Sequence, residues 1–407
     1  MATSDEEILV GRDSYTLPTH KLLTGRTFVT GKSGSGKSNT ATVMMERLLE
    51  YGRPFIVIDT DGEYWGLRDK YEILHVGRGE DCHVDIAPAQ VETLVELVLE
   101  DGMPVIVDVS GYLEVEEANE LIEEVVRTLF VKEQEYRTPL LLFVEELQEY
   151  LPQSGKQGDL GQVMTRVAKR GRKHGLGVCG MSQRPSAVDK DYITQCELIV
   201  WHRLTWPNDT DVVKDIMGAD AGEAVQDLDP GEALVQADWD GEVERVHFYQ
   251  KSTHDAGATP GQGPEFTPEL VPIPDRYIDL FEDPGMTVEE VVEAGESDGT
   301  ESATTDPTPP DPATDAPTDE PDEDDGAGEL VVEEEEPSPT PKETTVVEDE
   351  DDPPEPRPDP PAEQSENLVV EAAHFLTFVL TRVGRRLAAF GRRILPPVAD
   401  GRDDVRE

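Results

Sequence analysis

Of the 407 residues, 88 are Asp or Glu and 35 are Lys or Arg, for a formal net charge of −53, and only 3 are Cys. Cys82, Cys179 and Cys196 show no paired spacing, and no run of about 18 apolar residues is uninterrupted. A disulfide scaffold, a cysteine-based metal centre and a membrane-spanning helix are therefore not expected. The charge is unevenly spread: residues 1–250 hold 46 acidic and 24 basic side chains, whereas residues 251–366 hold 37 and 4. The second segment is rich in Pro, Thr, Glu and Asp, has few core-forming groups, and reads as a disordered acidic linker. What precedes it is long enough for one folded domain with a buried sheet. The acidic opening, Met1 to Glu7, does not resemble a signal peptide, so the expected compartment is the cytoplasm, at most at a membrane surface. Acidity of the folded part itself fits the cytosol of a salt-in halophile. At molar salt the Debye length is ~3 Å, so a negative protein can still hold DNA through close contacts.

Residues 1–25 read as a lead-in with a short strand at Ile8–Val10 and leave no room for a separate domain. The apolar run Arg26–Thr30 reads as a strand, followed by a glycine-rich loop and a helical stretch from Asn39 to Leu49. Phe55–Asp59, Tyr71–Val76, Pro104–Val109, Leu140–Val144, Gly175–Ser182 and Glu197–Leu204 read as further strands, apolar enough to be covered on both faces. Between them, apolar spacing predicts helices over Pro88–Glu100, Glu114–Glu135 and Leu160–His174, and one capped by Asn208 and running to Met217. Ala233–Ala237 and Val243–Tyr249 read as a closing hairpin. This alternation predicts a doubly wound α/β fold with a mainly parallel sheet over residues 26–250. After the linker at 251–366, residues 367–396 read as an amphipathic helix, apolar first and arginine-rich later, ahead of a tail at 397–407.

The loop between the first core strand and its helix is Gly31-Lys32-Ser33-Gly34-Ser35-Gly36-Lys37-Ser38, the full pattern of a P-loop. Its glycines let successive backbone N–H groups point inward at phosphate oxygens, and the helix N-terminus adds its dipole. Lys37 is expected to reach the β- and γ-phosphates of ATP and Ser38 to ligate Mg²⁺. Hydrolysis also needs a metal anchor and a residue that orients water, at the tip of a strand beside the P-loop strand. Leu140–Val144 runs into Glu145 and Glu146, so Glu145 is expected on the metal and Glu146 on the water. Arg166, Lys169, Arg170 and Lys173 share one helix face, either pairing with surface acids or serving an interface. Lys156, between glycines, is either a DNA-touching pore loop or an ordinary mobile loop.

The order of Gly31–Thr40, Ile58–Tyr64, Leu142–Leu147, Gly171–Gly177, Ser182–Pro185 and His202–Leu204 resembles that of HerA-type ATPases in the HerA/FtsK group, over about residues 27–249. The resemblance implies a RecA-like P-loop NTPase of a halophilic archaeal type that assembles as a hexamer on double-stranded DNA. It implies that Asn39 belongs to the nucleotide-binding set, that Asp59 and Glu63 face the nucleotide beside Glu145 and Glu146, and that Gln183 senses the γ-phosphate. Arg203 is implied to contact nucleotide, and Arg172 to act as an arginine finger in a neighbouring subunit, with Arg170 as the alternative. HerA proteins usually carry an N-terminal barrel that docks a nuclease; only about 25 residues precede the motor strand here, so a nuclease partner is not expected. The expected function is a DNA-translocating or DNA-unwinding ATPase in repair, resection or transfer. The alternative is an ATPase that remodels a protein or membrane assembly through residues 367–396.

Overall fold

The computed structural model describes residues 6–79, 81–155, 158–257, 268–283 and 285–301. Lys156, the helix expected at 367–396, the tail at 397–407 and the linker beyond 301 lie outside the described residues.

The chain opens with a hairpin of β1 (Glu7–Gly11) and β2 (Tyr15–Pro18), then α1 (Thr19–Thr24), β3 (Arg26–Thr30) and α2 (Lys37–Glu50). There follow β4 (Phe55–Asp59), β5 (Leu74–Gly77), α3 (Val91–Glu100), β6 (Val105–Asp108), α4 (Val115–Tyr136) and β7 (Leu140–Val144). Next come α5 (Asp159–Arg170), β8 (Leu176–Ser182), α6 (Lys190–Ile193), β9 (Leu198–His202), α7 (Pro207–Met217) and α8 (Ala219–Ala224). The hairpin of β10 (Glu232–Ala237) and β11 (Val243–His247) is followed by α9 (Arg276–Glu282) and α10 (Val288–Glu301). Nine strands form one sheet in the order β11-β10-β9-β3-β8-β7-β4-β6-β5, parallel from β9 to β5 and antiparallel at β10 and β11.

Covering on both faces explains the unbroken apolar strands. Along β7, Leu140, Leu142 and Val144 join the core under α3, α4 and α5, while Leu141 and Phe143 join the core under α1 and α2. Phe143 meets Phe55 of β4 edge-on, ring centroids 5.5 Å apart, in the orientation that aromatic quadrupoles favour. The lead-in hairpin buries Ile8, Val10 and Leu17 in this second core, and the Tyr249 N–H donates to the Val10 carbonyl.

Three expectations differ from the structure. The strand that carries Glu145 and Glu146 is not beside the P-loop strand, because β8 lies between β3 and β7. Asn208 is not the cap of α7: Trp206 holds that position and Pro207 enters as the first helical residue, where its missing N–H costs nothing. The chain beyond 250 is not all linker. Tyr277, Phe281, Val288 and Val291 of α9 and α10 are buried in the first core, and Tyr277 OH donates to Asp101 at 2.7 Å. Spread thinly among acids and prolines, these few apolar residues suffice because they dock on an existing surface rather than build their own.

Candidate active site

Every parallel strand delivers its carboxyl end to one edge of the sheet, the edge where such folds bind ligands. β3 leads there into the P-loop, β4 ends in Asp59, β7 leads into Glu145 and Glu146, β8 into Gln183, and β9 into Arg203. Of the residues expected in the site, Arg172 alone is elsewhere: it precedes β8 and so lies at the amino edge.

The loop is shaped by contacts that a side chain would obstruct. Gly36 has φ 110°, and a Cβ there would lie 3.0 Å from the Gly231 nitrogen. The Gly231 N–H donates to the Ser35 carbonyl and the Lys32 N–H to the Arg203 carbonyl. The P-loop is thus braced from β9 and from the turn before β10, and Arg203 makes its contact through its backbone. Ser33 and Gly34 are exposed at the tip, Gly31 and Ser35 are buried, and Ser38 is half-buried at the start of α2. Burial pushes the pKa of the His202 imidazole down to about 4, so it is neutral. Its Nδ1 lies 2.8 Å from the Glu232 carbonyl and its Nε2 3.0 Å from Thr40 Oγ1. A carbonyl only accepts, so Nδ1 carries the proton and Thr40 donates to Nε2. That link holds the first turn of α2 against β9.

Lys37 and Glu145 form a buried ion pair with Nζ and Oε1 3.7 Å apart. Even so, burial raises the Glu145 pKa to about 8; Lys37 opposes this, while Asp59, Glu63 and Asp61 add to it. Three further carboxylates thus oppose ionisation of Glu145 and one ammonium favours it, an excess of acid that a divalent cation with oxygen ligands would offset. Ser38 and Glu145 supply such a donor set, so the residues present fit Mg²⁺.

Glu146 occupies the left-handed region at φ 44° and ψ 47°, a conformation that costs a non-glycine residue roughly 1–3 kcal/mol and concentrates at functional sites. Two amides hold its carboxylate: Gln183 Nε2 donates at 3.1 Å, and Gln148 Nε2 donates from the other side. Gln148 in turn accepts from Ser182 Oγ at 2.6 Å. Because β8 sits between β7 and the P-loop strand, Gln183 at its tip reaches Glu146 directly and Ser182 reaches it through Gln148.

Asp59, expected to face the nucleotide, and Asn39, expected in the nucleotide-binding set, both have their side-chain polar atoms engaged by backbone groups. The Asp59 carboxylate is fully buried and accepts the backbone N–H groups of Gly62 at 2.8 Å, Glu63 at 3.1 Å and Tyr64 at 3.0 Å. Burial raises its pKa to about 6 against those hydrogen bonds. Asp59 therefore shapes the 60–64 loop and presents Glu63 and Asp61. The Asn39 amide donates to the Tyr249 carbonyl at 2.7 Å and accepts from the Lys251 N–H at 2.8 Å. Both its polar atoms pin the chain after β11 across α2. Glu46 continues that strap, one carboxylate oxygen accepting from the N–H groups of Ser252 and Thr253 and from Thr253 Oγ1, each at 2.8 Å.

Asp61, Gln148 and Ser182 were not singled out from the sequence. Gln148 has a weak signal in following the acid pair by two residues, whereas Asp61 is hidden between the acids Asp59 and Glu63.

A family model described as helicase HerA, central domain, matches residues 11–169. The DNA double-strand break repair helicase HerA of Pyrococcus furiosus is 32% identical over 116 residues, 28% of this chain and 21% of that one. Its namesake in Saccharolobus solfataricus is 29% identical over 101 residues, 24% of this chain and 20% of that one. The match thus covers about a fifth of the length of these curated relatives. Among solved structures, the genome packaging NTPase B204 of Sulfolobus turreted icosahedral virus 2 aligns at 15% identity and a TM-score of 0.42, over 55% of this chain and 97% of that one. The loop, the acid pair and the matched segment coincide in one stretch of chain, and over that stretch the protein is similar to the central domain of HerA helicases.

Proposed function

We propose that this protein is an ATP-hydrolysing motor that works as a ring, a hexamer, and translocates or unwinds double-stranded DNA in repair, resection or transfer. The reading is carried by one observation: the buried Lys37–Glu145 pair stands beside a Glu146 held in a strained conformation by Gln183 and Gln148. Such an arrangement suits hydrolysis better than mere nucleotide retention, because it spends stability on orienting a base. The names of the relatives, DNA repair helicases, support duplex DNA as the substrate.

In this reading the N–H groups of residues 31–36 hold the phosphates and Lys37 neutralises the β- and γ-phosphates. Ser38 and Glu145 would hold Mg²⁺, whose chemistry there is to offset charge on the transferring phosphoryl group. Glu146 orients the attacking water, Gln183 reports the γ-phosphate to β8, and Arg203 and Glu63 line the nucleotide. Arg172 lies at the opposite edge from its own Lys37, so it is available to serve a neighbour's site and not its own.

The test is ATP turnover with and without duplex DNA, in molar KCl, on particles of measured oligomeric state. DNA is expected to stimulate turnover of a ring. An assembled ring whose turnover no DNA alters would overturn the DNA-motor reading.

A further inference from the structure

We infer that Glu197 positions Arg172 for its work in the neighbouring site; the inference rests on the shared-site reading above. The Glu197 carboxylate lies at the amino edge, just before β9. Oε2 accepts the Arg26 backbone N–H at 2.7 Å and Arg26 Nε at 3.3 Å, while Oε1 accepts Arg26 Nη2 at 3.0 Å and Arg172 Nη1 at 2.6 Å. Glu197 is fixed on both sides by the sheet, its N–H donating to the Arg26 carbonyl and its own carbonyl accepting from Asp238. The Arg26 guanidinium is held further by Gln195 at 3.1 Å. Only the Arg172 end is free, with 64% of its side chain exposed against 11% for Glu197.

Three consequences follow from this geometry. First, Glu197 holds Arg172 by one terminal nitrogen, which leaves the rest of the guanidinium fork for a phosphoryl group. Second, Arg26 already balances the carboxylate, so the three groups together retain one positive charge. The anchor orients the cation without cancelling it. Third, an exposed arginine on a single turn after a helix otherwise samples many rotamers, and ordering it in advance removes an entropic cost from the reaction. Arg170 has no ion pair among the described residues, so the geometry selects Arg172 over Arg170 as the pre-positioned group.

The test compares Arg172→Ala, Glu197→Gln and the double variant in full-length assemblies, following kcat, KM for ATP and binding of a non-hydrolysable analogue. Arg172→Ala is expected to lower kcat at least ~10³-fold. Glu197→Gln should lower kcat by ~10- to 100-fold with KM and analogue binding unchanged, and should add no further loss in the Arg172→Ala background. Mixing Glu197→Gln subunits with Lys37→Ala subunits should restore turnover, because the latter supply an intact Arg172 to competent sites. Glu197→Asp keeps the charge beside Arg26 but withdraws from Arg172; it should show a smaller, equally selective fall, and it replaces Glu197→Gln if that variant fails to assemble. A loss that adds to that of Arg172→Ala, a change in KM, or full turnover in both Glu197 variants while Arg172→Ala is dead overturns the role of Glu197. Full turnover in Arg172→Ala overturns instead the shared-site reading on which it rests.

Discussion

The two edges of the central sheet are built on opposite electrostatic plans. At the carboxyl edge, Asp59, Asp61, Glu63 and Glu145 surround one buried lysine, and burial holds two of these acids well above the ordinary carboxylate range. At the amino edge, Arg166, Lys169, Arg170, Arg172 and Lys173 are all exposed, and among them only Arg172 has an ion-pair partner among the described residues. In a chain of net charge −53, such a concentration of uncompensated cations is a local exception. The acidic edge is held by backbone hydrogen bonds and amide contacts, whereas at the basic edge Arg172 alone of these cations is tied to a carboxylate among the described residues, through Glu197. What the contrast teaches is why the proposed motor needs both edges: nucleotide and metal would offset the acids at one, and a neighbouring subunit would use the cations at the other.

Removing the buried lysine of the carboxyl edge should break this contrast most severely. Lys37→Ala is expected to lower ATP turnover at least ~10³-fold in a steady-state assay while leaving assembly intact by sedimentation. Glu146→Gln should reduce kcat by ~10²- to 10⁴-fold while preserving analogue binding, since only the proton acceptor is lost. Gln148→Ala removes one of the two amides on Glu146 and should cost about 10-fold in kcat, measured beside Gln183→Ala for comparison. If either amide variant is fully active, the strained Glu146 conformation has no role in turnover.

Smaller effects sharpen the comparison through stability. Glu46→Ala deprives the Ser252 and Thr253 strap of its acceptor and should destabilise the fold by about 1–3 kcal/mol in denaturant titration, with faster amide exchange at those two residues. On the amino-edge side, Glu133 is buried, and a Cβ at Gly175 would lie 2.9 Å from its Oε1. Burial raises its pKa from 4.5 to about 8, against a smaller pull from the Thr138 backbone. The folded chain therefore binds this proton more tightly than the unfolded chain. That contribution is fully present below pH 4.5 and is lost as pH rises toward 8. Glu133→Gln should flatten the loss and raise the melting temperature at pH 8 but not at pH 5. An equal shift at both pH values would mean that the carboxyl is not held protonated.

The sequence by itself determines the phosphate loop and the core strands, though not the start of α7. A glycine-rich loop between an apolar strand and a helix announces phosphate binding because only that backbone can form the nest, and the bounds of β3, β4 and β7 follow from unbroken apolar runs. Tertiary structure alone decided which strand lies beside which, and with it who reaches whom: β8 between β3 and β7 brings Gln183 to Glu146. It also decided that Asn39 spends its polar atoms on backbone, which nothing in its spacing reveals, since partners at residues 249 and 251 lie about 210 positions away. Likewise the apolar residues of α9 and α10 count for little along an acidic chain and become core only where α3 offers them a surface. Local chemistry is written in neighbours along the chain, whereas the assignment of each polar atom to a partner is settled by packing, because buried donors and acceptors must all be paired at once.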